Sequence, residues 1–183
     1  MDSCRRNNVF LVGPMGVGKS TIGRHLAKLL KMDFVDSDHE IERRTGVTIA
    51  VIFEIEGEAG FRAREAAVLS DLTDNRGNLI LATGGGAVLR PANREILCTR
   101  GLVVYLHAAI DILLKRTHRD HRRPLLQTAD PRRIMQELLE HRDPLYREVA
   151  DLVVETDQRS PTTVAREVAA KLKPLMTDAN PQT

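Results

Sequence analysis

Val9-Phe10-Leu11-Val12-Gly13-Pro14-Met15-Gly16-Val17-Gly18-Lys19-Ser20-Thr21 is the stretch on which the reading of the whole chain turns. Its first four residues are apolar and two are β-branched, which predicts a short buried strand. After the glycine-rich turn, Ile22, Leu26, Leu29 and Leu30 recur at three- and four-residue steps, predicting an apolar helical stripe that faces a sheet. Arg24, His25, Lys28 and Lys31 take the opposite side. Gly13 to Ser20 fits G-x-x-x-x-G-K-[S/T] between a strand and a helix, the context this motif requires. Its glycines let main-chain N–H groups turn inward around a β-phosphate, and the helix N-terminus adds partial positive charge. Lys19 reaches the β- and γ-phosphates and Ser20 ligates Mg²⁺, with Gly16, Val17, Gly18 and Thr21 completing the candidate nucleotide site. The alternative is an ordinary glycine-rich turn bearing a surface lysine.

Outward from this loop, short apolar runs alternate with helical patterns. Phe34-Val35 ends in Asp36-Ser37-Asp38, followed by a helical stretch from Ile41 to Arg44 that Gly46 stops. Two helical blocks follow, Thr48–Glu56 and Glu58–Thr73. Asn78–Ala82 reads as a strand closed by Thr83-Gly84-Gly85-Gly86, and Pro91 opens a helix toward Thr99. Leu102–Leu106 is the clearest buried strand, with a helix over Ile110–Arg116 after it. His118–Thr128 is a polar, basic loop, and Pro131–Val149 is helical with a break at Asp143-Pro144. Asp151–Thr156 makes a last strand and Pro161–Leu172 a closing helix. Five strands joined through helices imply an α/β fold, a parallel sheet with helices on both faces, because parallel strands need crossover connections. Ligands of such sheets bind at the carboxyl ends of the strands. Gly13–Ser20, Asp36–Asp38 and Gly84–Gly86 all lie at those ends and are expected to share one crevice.

A chain of 183 residues suits one domain, here residues 1–173, with a disordered tail over 174–183. Its longest apolar runs, Ile49–Phe53 and Leu102–Leu106, are far below the roughly twenty residues that a membrane-spanning helix needs. The N-terminal segment has no apolar stretch of signal-peptide length, so a cytoplasmic protein is expected. Cys4 and Cys98 share no metal-ligand spacing. A net charge of +2 is too balanced for a dedicated nucleic-acid binder, and 3% aromatic residues without tryptophan leave little for stacking bases. The charge is nonetheless uneven. Lys115–Arg133 holds seven Lys or Arg against two Asp, a segment suited to an anion.

Phosphoryl transfer consists mostly of positioning and charge neutralisation. No carboxylate follows the strand that ends in Ala82, so the Mg²⁺ carboxylate must come from Asp36 or Asp38, the acidic pair at the end of the second strand. The competing role of that pair is a helix N-cap, for which Ser37 or Asp38 is suited. Arg116, Arg119, Arg122 and Arg123, with His118 and His121, are candidates for a lid over the nucleotide; a solvated basic loop is the other reading. Arg62 and Arg142 stand beside Phe61 and Pro144-Leu145-Tyr146, which suggests partial burial, against the reading of surface arginines with packed stems.

The order of Gly13–Thr21, Asp36-Ser37-Asp38, Ile49–Phe53, Gly57-Glu58, Phe61-Arg62 with Glu65, Gly84–Gly86, Arg123-Pro124-Leu125 and Arg142 with Pro144-Leu145-Tyr146 resembles shikimate kinase over residues 8–172. The resemblance implies a three-layer P-loop kinase fold with strand order 2-3-1-4-5, a mobile lid at about 116–128 and a shikimate-binding helical segment at about 37–75. It implies ATP-dependent phosphorylation of the 3-hydroxyl of shikimate, on the route to chorismate and the aromatic amino acids. By position, Asp38 would hold the reacting hydroxyl and accept its proton, while Arg62 and Arg142 would grip the carboxylate. Gly84, Gly85 and Gly86 would approach the ring through their main chain, Arg123 would meet the transferring group, and Asp36 would orient Mg²⁺. Arg116 would lie against adenine, with Arg159 and Pro161 on the other side of the base.

These roles agree with the residue chemistry. Paired guanidiniums suit a carboxylate, and three successive glycines admit a close main-chain approach. Phe53 and Phe61 offer an apolar wall or simply core packing, and Glu65, three residues after Arg62, either orients it or forms a surface helical pair. A kinase with its own lid is expected to act as a monomer on a small molecule. Two competing functions are a kinase of another anionic polyol such as gluconate, and a nucleotide-binding regulatory module without catalysis.

Overall fold

The computed structural model describes residues 7–74, 77–117 and 130–177. In chain order the elements are β1 (Val9–Val12), α1 (Lys19–Leu30), β2 (Asp33–Asp36), α2 (Ser37–Thr45), α3 (Ile49–Thr73) and β3 (Leu79–Ala82). They continue as α4 (Pro91–Arg100), β4 (Leu102–His107), α5 (Ile110–Thr117), α6 (Pro131–Val149), β5 (Leu152–Glu155) and α7 (Pro161–Thr177), with a short 3₁₀ turn at Ala87–Leu89. The five strands are all parallel and run β2-β3-β1-β4-β5 across the sheet, the expected order.

Side chains of a strand alternate between the two faces of its sheet, and here both faces are dry. Val9, Leu11, Ile80, Val104 and Leu106 pack with α1 and α7 residues such as Leu26, Val164 and Val168 in one core. Phe10, Val12, Leu79, Leu81, Val103 and Tyr105 pack in the other with Ile41, Phe61, Leu69, Leu97 and Tyr146 from α2, α3, α4 and α6. This two-sided burial explains why the strands read as continuous apolar runs. Helix α1 departs from expectation at Leu29, which is 46% exposed; Ile22, Gly23, Leu26 and Ala27 make the buried face.

Helix α3 bends where the two predicted blocks meet, at Gly57 (φ 68°, ψ −176°). Across the bend Phe53 stacks on Phe61, with ring centroids 4.7 Å apart, and Arg64 holds Glu56 through two bonds of 2.8 and 2.6 Å. Helix α6 corrects another expectation, since it runs unbroken past Asp143-Pro144. Asp143 accepts from Tyr105 Oη at 2.7 Å and from Arg147 Nε at 2.7 Å, which ties this part of the helix to β4. Helix α7 continues to Thr177, so residues 174–177, expected in the tail, are helical. Among the described residues no helix is long and apolar enough to cross a membrane.

The strand register positions the site. Asp36 of β2 lies beside Ala82 of β3, and Ala82 beside Leu11 of β1. The segments that leave these strands therefore emerge side by side: Ser37-Asp38, Thr83-Gly84 and Gly13.

Candidate active site

The phosphate loop is shaped by its neighbours as much as by its own sequence. A Cβ on Gly13 (φ 141°) would sit 2.4 Å from the carbonyl oxygen of Leu106 in β4, and one on Gly16 (φ 79°) 2.6 Å from Cγ2 of Thr117 in α5. Only bare main chain fits between them. Gly18, also left-handed, opens α1 without a side-chain cap, so the first amides of the helix are left for an anion. Lys19 Nζ donates to the carbonyls of Gly13 and Pro14 at 2.7 and 2.9 Å and so arches across the loop. Arg116 joins the loop to the end of β5: it donates to the Val17 carbonyl at 3.2 Å and to the hydroxyl and carbonyl of Thr156 at 3.2 and 3.0 Å. Arg159 donates to the Glu155 carbonyl at 3.0 Å and pairs with Glu167, and Pro161 opens α7.

Asp36 performs two jobs at the end of β2. Its Oδ1 accepts the N–H groups of Asp38 and His39 at 3.0 and 3.3 Å, and its Oδ2 accepts the Ser20 hydroxyl. The helix cap is thus Asp36, not Ser37 or Asp38. Ser37 instead accepts the Gly84 N–H at 3.0 Å. The Ser20 hydroxyl and Asp36 carboxylate are hard oxygen donors in contact, a donor set that fits Mg²⁺. Among the described residues no group of three or more His, Cys, Asp or Glu could hold a metal ion. An ion here would complete its shell with phosphate oxygens and water, as Mg²⁺ ordinarily does.

The second half of the crevice is built on Gly84-Gly85-Gly86, and a different charge faces each glycine. A Cβ on Gly84 would lie 2.6 Å from Glu65 Oε1 and 2.8 Å from Asp38 Oδ1. One on Gly85 would lie 3.7 Å from Arg142 Nη1, and one on Gly86 would overlap the Arg62 guanidinium at 2.3–2.5 Å. Arg62 donates to Glu65 at 2.8 Å and to Glu58 at 3.2 and 3.3 Å, and it lies over the Phe61 ring, 5.2 Å from the centroid. Glu65 is 1% exposed, and burial pushes its carboxyl above the usual range against the pull of Arg62. It is no surface pair. Arg142 is 8% exposed, and its buried Nε–H meets no acceptor among the described residues. A buried N–H without an acceptor is costly, so this one is suited to a ligand that supplies the acceptor.

A family model described as shikimate kinase matches residues 15–173, most of the chain. The shikimate kinase of Alteromonas mediterranea is 58% identical over 167 residues, which are 91% of this chain and 97% of that one. This chain belongs to the shikimate kinase family. As a member of a kinase family it takes ATP as co-substrate. The structure of shikimate kinase from Acinetobacter baumannii in complex with shikimate matches with a TM-score of 0.88 at 52% identity, covering 96% of each chain. A gluconokinase from Sinorhizobium meliloti matches with a TM-score of 0.62 at 21% identity over 95% of this chain and 97% of that one, which shows the fold alone.

Of the residues expected from the family resemblance, the crevice brings together Lys19, Ser20, Asp36, Asp38, Arg62, Gly84, Gly85, Gly86 and Arg142. Phe61 belongs to the core on the α3 side, 4% exposed, while Phe53 is half-buried against it. Thr21 is exposed on α1. Arg123, with Arg119, Arg122, His118 and His121, lies outside the described residues. Three contacts had no counterpart in the sequence reading: Ser37 on Gly84, Thr156 under Arg116, and Tyr146, whose hydroxyl donates to the Gly85 carbonyl. Only Tyr146 carried a signal, its place one helical turn after Arg142.

Proposed function

We propose that this chain transfers the γ-phosphoryl group of ATP to the 3-hydroxyl of shikimate, giving shikimate 3-phosphate and ADP in aromatic amino acid biosynthesis. The observation that carries the acceptor assignment is the convergence of Asp38, Arg142 and Arg62 on three successive glycines, with a buried guanidinium N–H left open. A carboxylated ring with hydroxyl groups fits this array. Its carboxylate takes Arg62 and Arg142, its reacting hydroxyl takes Asp38, and its edge runs along the main chain of Gly84–Gly86 beside Phe53 and Phe61.

In the reaction the hydroxyl oxygen attacks the γ-phosphorus, the bond from that phosphorus to the bridging oxygen of ADP breaks, and the hydroxyl proton passes to the Asp38 carboxylate. Lys19 and the loop amides from Gly16 to Thr21 neutralise the phosphates, and Arg123 is assigned to the transferring group. Ser20 and Asp36 are assigned to Mg²⁺, which when bound offsets phosphate charge. Arg116, bracing the loop against Thr156, carries one face of the adenine, with Arg159 and Pro161 on the other. The proposal includes a monomer acting in the cytoplasm without nucleic-acid or membrane partners, supported by the balanced net charge of +2.

The test is ADP release from Mg-ATP with shikimate, with gluconate and with no acceptor. Strong stimulation by shikimate alone is expected. Stimulation by gluconate instead would overturn the acceptor pocket, and folded protein that binds ATP but ignores both would point to a regulatory module.

A further inference from the structure

Tyr146 links parts of the acceptor site that come from distant segments of the chain. It is 1% exposed, on α6 one turn after Arg142, and its ring stacks on Tyr105 of β4 with centroids 5.0 Å apart. Its hydroxyl donates to the carbonyl of Gly85, the middle glycine of the acceptor loop, at 2.5 Å. A phenol has one proton, so the same oxygen presents only lone pairs to its other neighbours. The Arg142 guanidinium approaches the same glycine, with Nη1 3.7 Å from where a Cβ on Gly85 would lie. Burial pushes the Tyr146 phenol up to about 12, so it remains a donor to Gly85 at any working pH.

The surroundings make this arrangement specific. Pro144 has no N–H to give to the carbonyl one turn back, so α6 has a main-chain bond fewer beside Arg142. Side chains hold this turn instead. Asp143 takes the Tyr105 hydroxyl and Arg147 on the β4 side, and Tyr146 takes Gly85 on the other. With Nη1 near Gly85 and the Gly85 carbonyl held by the phenol, the guanidinium stands against a fixed main chain and its buried Nε–H is left available.

We propose that the Tyr146 hydroxyl is a positioning group: by bonding Gly85, beside which Nη1 of Arg142 lies, it sets the glycine loop and the guanidinium as one unit for the acceptor carboxylate. The proposal rests on the reading of Arg142 as a carboxylate ligand. It goes beyond that reading by giving the orientation of Arg142 a cause outside the ligand.

The test compares Tyr146→Phe, Arg142→Ala and the double variant of the full chain, with KM for shikimate and for ATP and with melting temperatures. Tyr146→Phe keeps the ring and removes one buried hydrogen bond, so KM for shikimate is expected to rise about three- to tenfold with KM for ATP changed less than about twofold. The increment should be smaller in the Arg142→Ala background, because the hydroxyl acts in part through that guanidinium. If Arg142→Ala raises KM for shikimate but Tyr146→Phe does not, or if the two effects add in full, the positioning role is overturned and the clamp survives. If Arg142→Ala leaves KM for shikimate unchanged, the clamp reading falls and this proposal with it.

Should Tyr146→Phe not fold, a second route keeps the phenol. The chain has two tyrosines, so incorporation of a fluorinated tyrosine into Tyr105→Phe labels Tyr146 alone. Fluorination lowers the pH at which the phenol ionises, and ionisation followed by absorbance should lower shikimate affinity in step. An affinity that stays flat through that ionisation overturns the proposal; a purely space-filling ring predicts that flat result.

Discussion

The two halves of the crevice present charge and main chain in opposite ways. On the side of the phosphate loop, main-chain amides of one continuous segment are left open by glycines whose Cβ atoms would strike β4 and α5. On the acceptor side the charged groups are side chains from α2, α3 and α6, gathered over glycines whose missing Cβ atoms make room for charge. In the first half a glycine protects the backbone path; in the second it protects the position of an arginine or a carboxylate. Damage to the two halves should therefore differ in kind: altered folding on one side, altered acceptor binding or chemistry on the other.

The largest effect is expected at Asp38. Asp38→Asn keeps size and removes the proton acceptor, so turnover should fall at least about a hundredfold with ATP binding little changed. Near-normal turnover would remove Asp38 from the chemistry.

A pair of glycine substitutions probes the contrast directly. In Gly13→Ala the new methyl meets the Leu106 carbonyl at 2.4 Å on a backbone with φ 141°, and neither can yield cheaply. Destabilisation of at least about 2 kcal/mol is expected in denaturant melts. In Gly86→Ala the methyl meets the end of a flexible side chain, the Arg62 guanidinium, so the fold should hold while KM for shikimate rises about tenfold. Equal loss of stability in the two variants would erase the distinction.

The smallest effect concerns Glu65. A raised carboxyl pKa means that the folded state holds the proton more tightly than the unfolded chain. Its contribution to stability is full below the ordinary carboxylate range and is lost as pH rises through the raised value. Relative to Glu65→Gln, the native protein should therefore lose melting temperature as pH rises across that window; parallel curves would show that Glu65 is held ionised in the fold.

The same contrast explains how much of the molecule was legible. Loop, strand and helix around Gly13–Thr21 follow from contiguous residues, as do the alternation of strands and helices and the bend at Gly57. Leu29 misled because helical spacing places it beside the stripe, whereas the packed face of α1 runs through Ile22, Leu26, Ala27 and Leu30 and leaves Leu29 to solvent. Pro144 suggested a break because its missing N–H is a local fact, while the Asp143 and Tyr146 bonds that hold the helix across it are not. Glu65 and Arg142 read equally well as surface residues, since burial of a charge depends on what distant segments place over it.

The sequence by itself determined a nucleotide loop, a parallel α/β sheet and, through the spacing of its motifs, a family. Those properties rest on interactions between residues near in the chain: backbone freedom at glycines, apolar periodicity and the strand-to-helix turn. Only the tertiary structure decided that Asp36 rather than Asp38 caps α2, that the Nε–H of Arg142 is buried and open, and that Tyr146 bonds Gly85. Each depends on register between strands and on desolvation by packed neighbours, quantities that exist only once the chain has closed on itself.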